Sequence, residues 1–523
     1  MSNTNLNLDI IKEKLNSNDF KSEIEKISTV ESLVEFLKSE NMEYKTYEYF
    51  KMISDIPRNS QKEKEISDFI KKFAEDIGYE TYQDEYNNLI VYIDASEGME
   101  DREPIMIQGH TDMVCVKEGG YVHNFDEDPL KLYTENGMLR AKGTTLGGDD
   151  GIAVAYMMSI MDNKEIKHPR LECVFTSDEE GSFIGAENLD MNRLTAKTLL
   201  NIDSEDENVI IVSCAGGVAF EDRIKFKREE SKFENPVSCE FKISGLKGGH
   251  SGSDIHLGRA NSIKLVGRIL EYLREEVEFE LLSIKSGEAA NVIPSKGESV
   301  ILVDKKELNR LKETIEKIEE EIKSEYAESD SKIKIELKEI CKDDACVEKY
   351  DKIIEKKAVD KLINWIKMFK NGVSTMSKDI EGLVESSYNV GNVETLDDEI
   401  VFVSECRSCS DERITEIIEN MKELSHINGT NQEILYTYPG WKFNPESNAR
   451  KSYNESVEKI YDKKAMELAV HSGLEVGFFV EGVEGIDAVS IGPNMLDIHT
   501  AKEKLDIISS LKIWYVVLDF LAK

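Results

Sequence analysis

Residues 104–113 read PIMIQGHTDM, an apolar run of strand length that ends in a histidine and an aspartate. Comparable apolar runs lie at 89–93 (LIVYI), 171–176 (LECVFT) and 198–202 (TLLNI), and stretches with helical spacing separate them. Strands that alternate with helices are typical of an α/β sheet. These four runs therefore predict the core of an α/β fold.

The middle of the chain has a different pattern, in which strand-like runs such as SVILV at 299–303 and KIKIEL at 332–337 alternate with long charged helices. This pattern predicts an α+β domain. Its clearest helix lies within 307–328, where the apolar residues are spaced to form one buried face. These residues are Leu308, Leu311, Ile315, Ile318 and Ile322.

The α/β pattern resumes after the turn signal YPGW at 438–441, with a helix, the strand-like AVSIG at 488–492 and a last apolar helix. The simplest architecture is a discontinuous α/β domain, with a mixed sheet flanked by helices, into which an α+β domain is inserted. In the first forty-odd residues, apolar side chains three or four apart predict one or two amphipathic helices. The predicted segments are a helical N-terminal extension at 1–46, the first α/β part at 47–212, the inserted domain at 213–437 and the second α/β part at 438–523.

The composition excludes several classes of function. The 523 residues include 66 Lys and Arg against 103 Asp and Glu, so the formal net charge is -37. Such a charge opposes nucleic acid and anionic membranes. The opening MSNTNLNLDIIKEKL has no secretion signal, and no later run has the length of a membrane span. We expect a cytoplasmic protein without nucleic-acid or membrane partners, in which the eight cysteines are reduced thiols.

Four polar motifs directly follow apolar runs, and in an open α/β sheet the strand ends line the ligand crevice. In QGHTDM, His110 is a candidate metal ligand and Asp112 a candidate for fixing its ring. This spacing alone marks a ligand in only about one case in ten. In GTTLGGDDG, glycines let a tight turn present Asp149 or Asp150, although the motif by itself fits a simple polar turn better.

Two further acidic motifs extend the set. In FTSDEEG, Glu179 and Glu180 either divide metal binding and proton transfer between them or lie in the first turn of a helix capped by Ser177 or Asp178. In NIDSEDE, Asp203 is the first polar group after an apolar run. The acids that follow it are expected to be solvated.

A late histidine, His499 in IGPNMLDIHT, completes a set of imidazole and carboxylate groups at strand ends. Oxygen and imidazole ligands without thiolate suit zinc, manganese or cobalt, and a shared carboxylate can hold two ions roughly 3.5 to 4 Å apart. We therefore expect two divalent metal ions. Zinc is the expected metal, with cobalt or manganese as alternatives.

The order GHTD, GGDDG, DEEG, NIDSEDE and a C-terminal IGPxxxxxH resembles the two-zinc metallopeptidase family of aminoacylases, carnosinases and carboxypeptidase G. Finer motifs, from about Met52 to the C-terminus, are similar to the aminoacyl-histidine dipeptidase branch of that family. They are KGTTLGGDDGIA, LNIDSEDE followed by CAGG, LKGGHSGSDIHLGRAN, EAANVIPSKG, YPGW and HSGLEVGFF. The N-terminal extension has no obvious counterpart in this resemblance.

The resemblance implies how the metals are bound. One ion is expected on His110 and Asp203, the other on Glu180 and His499, with Asp149 bridging both. In relatives the peptide bond after the bridging aspartate is cis, so we expect a cis bond after Asp149.

The resemblance also implies the remaining roles. Glu179 is expected to be the general base, and Asp112 to orient the histidine ligand before it. The inserted domain resembles the family's lid, which also forms the homodimer. There His250 would stabilise the oxyanion, and Asn291 and Arg407 would hold the substrate's terminal carboxylate. Without the family, each of these three is an ordinary polar residue.

The expected reaction is hydrolysis of dipeptides with a free N-terminus, aminoacyl-histidine dipeptides and other short peptides among them. A water that bridges the metals would attack, with a glutamate as its base. An N-acyl amino acid amidohydrolase or a carboxypeptidase would use the same site and stays an alternative, as does a catalytically silent metal-binding scaffold. The glycine-rich KGGHSGS lacks the Lys-Ser/Thr ending of a nucleotide loop, so phosphate binding is not expected.

Overall fold

The computed structural model describes residues 7–340, 352–378 and 380–523. These residues form two compact units. The first unit contains the chain up to Ser213 together with Phe443–Ala469 and Glu475–Lys523, and the second contains Cys214–Lys442 and Val470–Leu474. No feature of the sequence indicated the short return of the chain into the second unit.

The central sheet of the first unit is mixed. The strand Ile105–His110 pairs in parallel with Leu171–Thr176 on one side and Thr198–Asn201 on the other, so the three strands end at the same edge. The order across the sheet is Glu80–Gln83, Leu89–Ile93, Leu171–Thr176, Ile105–His110, Thr198–Asn201, Asp487–Ser490, Val209–Cys214 and Met466–Val470. A smaller antiparallel sheet has the order Met495–Leu496, Lys504–Asp506, Met138–Ala141 and Leu132–Glu135. The predicted α/β fold with a mixed sheet is confirmed.

Two helices of the first unit are mostly apolar and almost entirely buried. Gly148–Met161 is buried at every position and packs on the strand Ile105–His110. Ile507–Leu521 is buried at all but three positions. The other helices of this unit that follow the N-terminal extension are Lys45–Ser54, Lys64–Asp76, Ile184–Asn188, Asn448–Tyr461 and Val476–Gly482.

The N-terminal extension contains three short helices, so the prediction of one or two is wrong in number. The breaks fall at Ser17 and Thr29, whose backbone is extended. Their side-chain oxygens accept the backbone N–H groups of Phe20 and Ser32, each at 3.2 Å, and such caps begin a new helix. The three helices are Leu8–Asn16, Asn18–Lys26 and Val30–Ser39.

An antiparallel sheet covered by helices forms the second unit, which is the predicted α+β fold. The strand order is Lys334–Glu339, Pro236–Ser244, Gly297–Asp304, Phe279–Gly287, Val384–Thr395, Glu399–Ser408, Gly216–Lys225 and Asn431–Tyr438, and Gly372–Met376 also pairs with Val384–Thr395. The short strands Gly249–His250 and Val292–Ile293 pair with each other, as do Arg228–Glu229 and Ile353–Ile354. Among the described residues of this unit, the α-helices are Ser262–Glu276, Leu308–Glu325, Lys356–Met368 and Asp411–Asn428. In Leu308–Glu325 the predicted apolar face is confirmed, because Leu311, Ile315, Ile318 and Ile322 are its buried residues.

Of the described cysteines, Cys115, Cys173, Cys239 and Cys406 are free thiols. Cys341 and Cys346 lie outside the described residues. Within residues 7–340, 352–378 and 380–523, no helix has both the length and the apolar character that a membrane span requires.

Candidate active site

The end of the strand Ile105–His110 carries the first candidate ligand. His110 is fully buried, and its two ring nitrogens face different carboxylates. Nδ1 lies 3.4 Å from Oδ1 of Asp112, whereas Nε2 lies 3.1 Å from Oδ1 of Asp149 and 3.4 Å from Oδ1 of Asp203. Asp112 therefore occupies the Nδ1 side of the ring, and Nε2 faces the acidic residues among which a cation would bind.

The GGDDG motif turns the chain into the helix Gly148–Met161. Asp149 and Asp150 have non-helical backbone angles, and the peptide bond between them is cis, as expected. The two carboxylate oxygens of Asp149 face two imidazoles, with Oδ1 at 3.1 Å from Nε2 of His110 and Oδ2 at 3.2 Å from Nε2 of His499. Of the two aspartates that the sequence left open, Asp149 is the one that lies between the histidines.

The DEEG motif is a turn rather than the start of a helix, since the next helix begins at Ile184. Ser177 and Asp178 therefore do not cap a helix that contains the two glutamates. Instead, the backbone N–H groups of Glu179 and Glu180 donate to the carboxylate of Asp112, at 3.1 and 3.2 Å.

The two glutamates reach different histidines. Oε1 of Glu180 lies 2.7 Å from Nε2 of His499, and Oε2 of Glu179 lies 4.0 Å from Nε2 of His110. His499 itself is in a left-handed backbone conformation, with a φ of 59°, and its side chain is about half exposed. The structure thus brings Glu179 and all five predicted ligands together in the first unit; their roles stay predictions.

The electrostatics of this cluster are those of crowded carboxyl groups. Burial, opposed by His110 and supported by the charges of Asp149 and Glu180, raises the pKa of Asp203 to about 7. Burial, together with the charge of Asp203, raises the pKa of Glu179 well above its usual range. Hydrogen bonds to Asp149 and Glu180 raise the pKa of His499 to about 10. Without a cation, such groups retain protons that a bound cation would displace.

The donor atoms fit divalent metal ions. His110, Asp149 and Glu180 place one donor atom each within 4.8 Å of one another, and His110, Asp150 and Asp203 do the same. These donors are imidazole nitrogens and carboxylate oxygens without a thiolate, which suits zinc, cobalt and manganese.

The three predicted substrate residues lie in the second unit. Nδ1 of His250 accepts the backbone N–H groups of Gly252 and Ser253, at 3.1 and 3.2 Å. Asn291 is exposed, and its backbone carbonyl accepts the N–H of Ser251 at 2.8 Å. Arg407, in contrast, is buried.

Arg407 is part of a compact polar cluster. Its Nη2 donates to Oε2 of Glu405 at 2.8 Å, and the hydroxyl of Tyr438 donates to Oε1 of the same carboxylate at 2.9 Å. His471 lies in this cluster too, with Nε2 at 2.7 Å from Oγ of Ser387. Burial, and then the charge of Arg407, lowers the pKa of His471 to about 3. Both effects also lower the pKa of His250.

Several buried charged residues near the ligands were missed from the sequence. Glu475, in the quoted motif HSGLEVGFF, accepts from Nε2 of Gln108 at 2.7 Å and from Oγ1 of Thr176 at 2.6 Å. Arg58 and Glu503 contact the backbone of the ligand loops. A lone charge inside an apolar motif was the available signal for Glu475, whereas Arg58 and Glu503 lie in ordinary polar sequence.

Imidazole and carboxylate donors gathered at the strand ends of an α/β sheet define a metal-dependent hydrolase of the α/β type. Residues 241–330 match the family model described as the peptidase dimerisation domain, M20_dimer. The chain is 31% identical over 477 residues to the cytosol non-specific dipeptidase of Escherichia coli (strain K12), a match that covers 91% of this chain and 96% of the relative. This chain therefore belongs to the M20 family of metallopeptidases.

Solved structures agree with this assignment. The crystal structure of aminoacylhistidine dipeptidase from Vibrio alginolyticus is 30% identical, has a TM-score of 0.81, and is matched over 91% of this chain and 96% of that one. The M20 family metallo-carboxypeptidase Sso-CP2 from Sulfolobus solfataricus, 15% identical with a TM-score of 0.51 over 92% and 99% of the two chains, shows the fold alone. The protein is a hydrolase, a metallopeptidase of the dipeptidase type, and the predicted family, fold and enzyme class are confirmed.

Proposed function

We propose that this enzyme hydrolyses dipeptides with a free N-terminus, aminoacyl-histidine dipeptides among them, with two divalent metal ions, zinc in the first place. The carboxylate of Asp149 carries the proposal, because its two oxygens face the Nε2 atoms of His110 and His499. In this arrangement Asp149 would bridge the ions, Asp203 would join His110 in holding one of them, and Glu180 would join His499 in holding the other.

Divalent ions bound here would polarise the scissile carbonyl and make a water acidic enough to attack at neutral pH. Glu179 takes the proton of the attacking water and returns it to the leaving amine, so that one carboxylate performs both transfers. The position of Glu179 supports this role. Its backbone N–H group donates to Asp112 at 3.1 Å, and its side chain lies next to the proposed ligands. The contact with His499 is made by Glu180 instead. Asp112 holds the ring of His110 through Nδ1.

The substrate groups of the second unit complete the proposal. Because Nδ1 of His250 accepts two backbone N–H groups, the ring proton of the neutral histidine is on Nε2, where it donates to the developing oxyanion. The guanidinium of Arg407 and the side chain of Asn291 bind the terminal carboxylate of the dipeptide. Glu405 uses Nη2 of Arg407, which leaves other donors of the guanidinium for the substrate.

We further propose that the enzyme is a cytoplasmic homodimer. The family model matched at 241–330 is a dimerisation domain, and one relative is a cytosolic dipeptidase. Sedimentation of the full chain at working concentration tests the assembly, and a monomeric mass would contradict it.

A substrate panel tests the activity. The metal-loaded enzyme is assayed against unblocked dipeptides, including aminoacyl-histidines, and against their N-acylated counterparts, each with and without a chelator. Chelator-sensitive cleavage of the unblocked dipeptides is the expected result. Cleavage of only the blocked substrates would reassign the enzyme to the amidohydrolases, and inactivity on all of them would favour a catalytically silent scaffold.

A further inference from the structure

The loop Leu146–Asp149, which carries the proposed bridging ligand, is held by two buried charged side chains from distant parts of the chain. Arg58 precedes the sheet in sequence and Glu503 follows its last strand. They are 2% and 4% exposed, respectively, and neither belongs to the proposed ligand set.

Arg58 joins two segments that carry ligands. Its Nη1 donates to the carbonyl oxygens of Thr111 and Asp112, at 3.0 and 3.1 Å, directly after His110. Its Nη2 donates to the carbonyl oxygen of Gly147, two residues before Asp149. One rigid guanidinium therefore sets the spacing between the histidine segment and the aspartate loop.

Glu503 binds the same loop through its N–H groups. Its Oε2 accepts from Leu146 and Gly147, at 2.9 and 3.2 Å, and its Oε1 accepts from Gly148 at 2.8 Å and from Asp149 at 3.5 Å. A single carboxylate thus satisfies consecutive backbone donors in a stretch with no regular secondary structure of its own before residue 148. Buried N–H groups without such a partner would be costly.

The glycines of the GGDDG motif leave space for the side chains of Arg58 and Glu503. A Cβ atom at Gly147 would collide with Nη2 of Arg58, and at Gly151 it would lie 2.7 Å from the same nitrogen. A Cβ atom at Gly148 would lie 3.3 Å from Oε1 of Glu503. The glycines of this motif are therefore required by the close approach of Arg58 and Glu503 as well as by the turn of the backbone.

We propose that Arg58 and Glu503 are positioning residues that hold the loop Leu146–Asp149 so that Asp149 lies between His110 and His499. Neither residue touches the substrate; they act through the backbone on the geometry of the metal ligands. The inference rests on the proposed function, because the loop matters for catalysis only if Asp149 binds metal. It predicts that the two residues set metal affinity and kcat, with little effect on KM.

The variants Arg58→Met and Glu503→Gln are compared with matched controls in the first unit. Arg450 is also a buried arginine, and it donates to the carbonyl oxygens of Asn444 and Pro445 at 2.7 and 2.8 Å. Glu172 is also a buried glutamate, and it accepts the backbone N–H groups of Thr195 and Ala196. Arg450→Met and Glu172→Gln therefore remove the same kinds of bond without touching the ligand loops.

The metal-free full chain is titrated with Co²⁺ by calorimetry and by visible absorption, and kcat and KM are then measured on the loaded enzyme. We expect Arg58→Met and Glu503→Gln to bind Co²⁺ about 10- to 100-fold more weakly than wild type and to lose kcat. The control variants should bind Co²⁺ as wild type does, even where their melting temperatures fall. Arg58→Lys, which keeps the charge and part of the hydrogen bonding, should recover part of the affinity and provides a second variant if Arg58→Met folds poorly.

Hydrogen exchange of the metal-free protein gives a readout that needs neither metal nor activity. Peptides that contain Leu146–Asp149 should exchange faster in Arg58→Met than in Arg450→Met. Equal Co²⁺ affinity and equal exchange in the two variants would overturn the positioning role and leave the proposed function intact. A wild-type chain that binds no Co²⁺ would overturn the proposed function and this inference together.

Discussion

The two units bury polar clusters that balance their charges in opposite ways. In the first unit, Asp149, Glu180 and Asp203 gather around two imidazoles, and burial with mutual repulsion raises the pKa of Asp203 to about 7. In the second unit, the buried Arg407 and Glu405 neutralise each other. A buried acidic cluster that is short of positive charge is arranged for a cation from outside, whereas a compensated pair needs no added ion to balance its charge.

The comparison also separates two uses of histidine. His110 and His499 have raised pKa values because carboxylates surround them, although burial opposes the shift in His110. His471 and His250 have lowered pKa values because burial and then Arg407 disfavour a second positive charge. The first pair therefore lies where cations are stabilised, and the second pair lies where a neutral ring or an incoming anion is stabilised.

The largest expected effect is that of replacing Glu179. It sharpens the comparison because it shows whether this carboxylate in the acidic cluster is the general base or a metal ligand. Glu179→Ala should lower kcat by about 10²- to 10⁴-fold, because a positioned base contributes that much. The variant should still bind the same number of metal ions as wild type, measured by elemental analysis after desalting. Loss of an ion from Glu179→Ala would show that the residue is a ligand and not the base.

The next effect tests whether the second unit is compensated internally. Arg407→Met leaves the carboxylate of Glu405 buried without its cation and should destabilise the second unit by about 3–5 kcal/mol. The double variant Arg407→Met/Glu405→Gln should recover part of that loss. Two of the three tryptophans, Trp365 and Trp441, lie in this unit, so urea unfolding followed by fluorescence in a Trp514→Phe background reports on it.

Arg223→Met is the matched control for this experiment. Arg223 lies in the same sheet and pairs with Glu221 and Glu399, but its side chain is 34% exposed. A solvated pair of this kind contributes at most about 1 kcal/mol. Equal losses in Arg223→Met and Arg407→Met would contradict the view that burial makes the Arg407 pair special.

The smallest effect is a pH dependence in the second unit. The pKa of His471 is lowered to about 3, so in acid the unfolded chain binds a proton that the folded chain does not. The stability that this histidine contributes is present above an unfolded pKa of about 6.5 and falls as the pH drops towards 3, by about 2 kcal/mol between pH 6.5 and 4.5. In His471→Asn the same fluorescence experiment should show a shallower loss over this range, and an unchanged slope would count against a neutral, buried His471.

Much of the fold followed from local pattern. Apolar runs predicted the strands that end at His110, Thr176 and Asn201, and parallel pairing brings those ends to one edge, so the candidate ligands meet there. The helical spacing in 307–328 predicted the buried face of Leu308–Glu325. The cis bond after Asp149 was expected only from the family resemblance, since nothing in the local composition predicts it.

What could not be predicted depends on contacts between distant residues. Arg58 forms a hydrogen bond with Thr111, 53 residues away in the sequence, and Glu503 forms one with Gly148, 355 residues away. The periodic spacing of apolar residues does not predict such bonds. The return of Val470–Leu474 to the second unit is likewise a tertiary event. The number of N-terminal helices was misjudged for a local reason, because Ser17 and Thr29 were not recognised as helix caps.

The metal content of the enzyme tests the central claim most directly. The full chain is made metal-free, incubated with excess zinc, desalted and analysed for zinc per chain, with Asp149→Ala treated in parallel. The proposed bridging role predicts two zinc ions per wild-type chain and loss of tightly bound zinc in the variant. A wild-type chain that retains no zinc, or an Asp149→Ala variant that retains as much zinc as wild type, would contradict the assignment of this cluster as a two-metal centre.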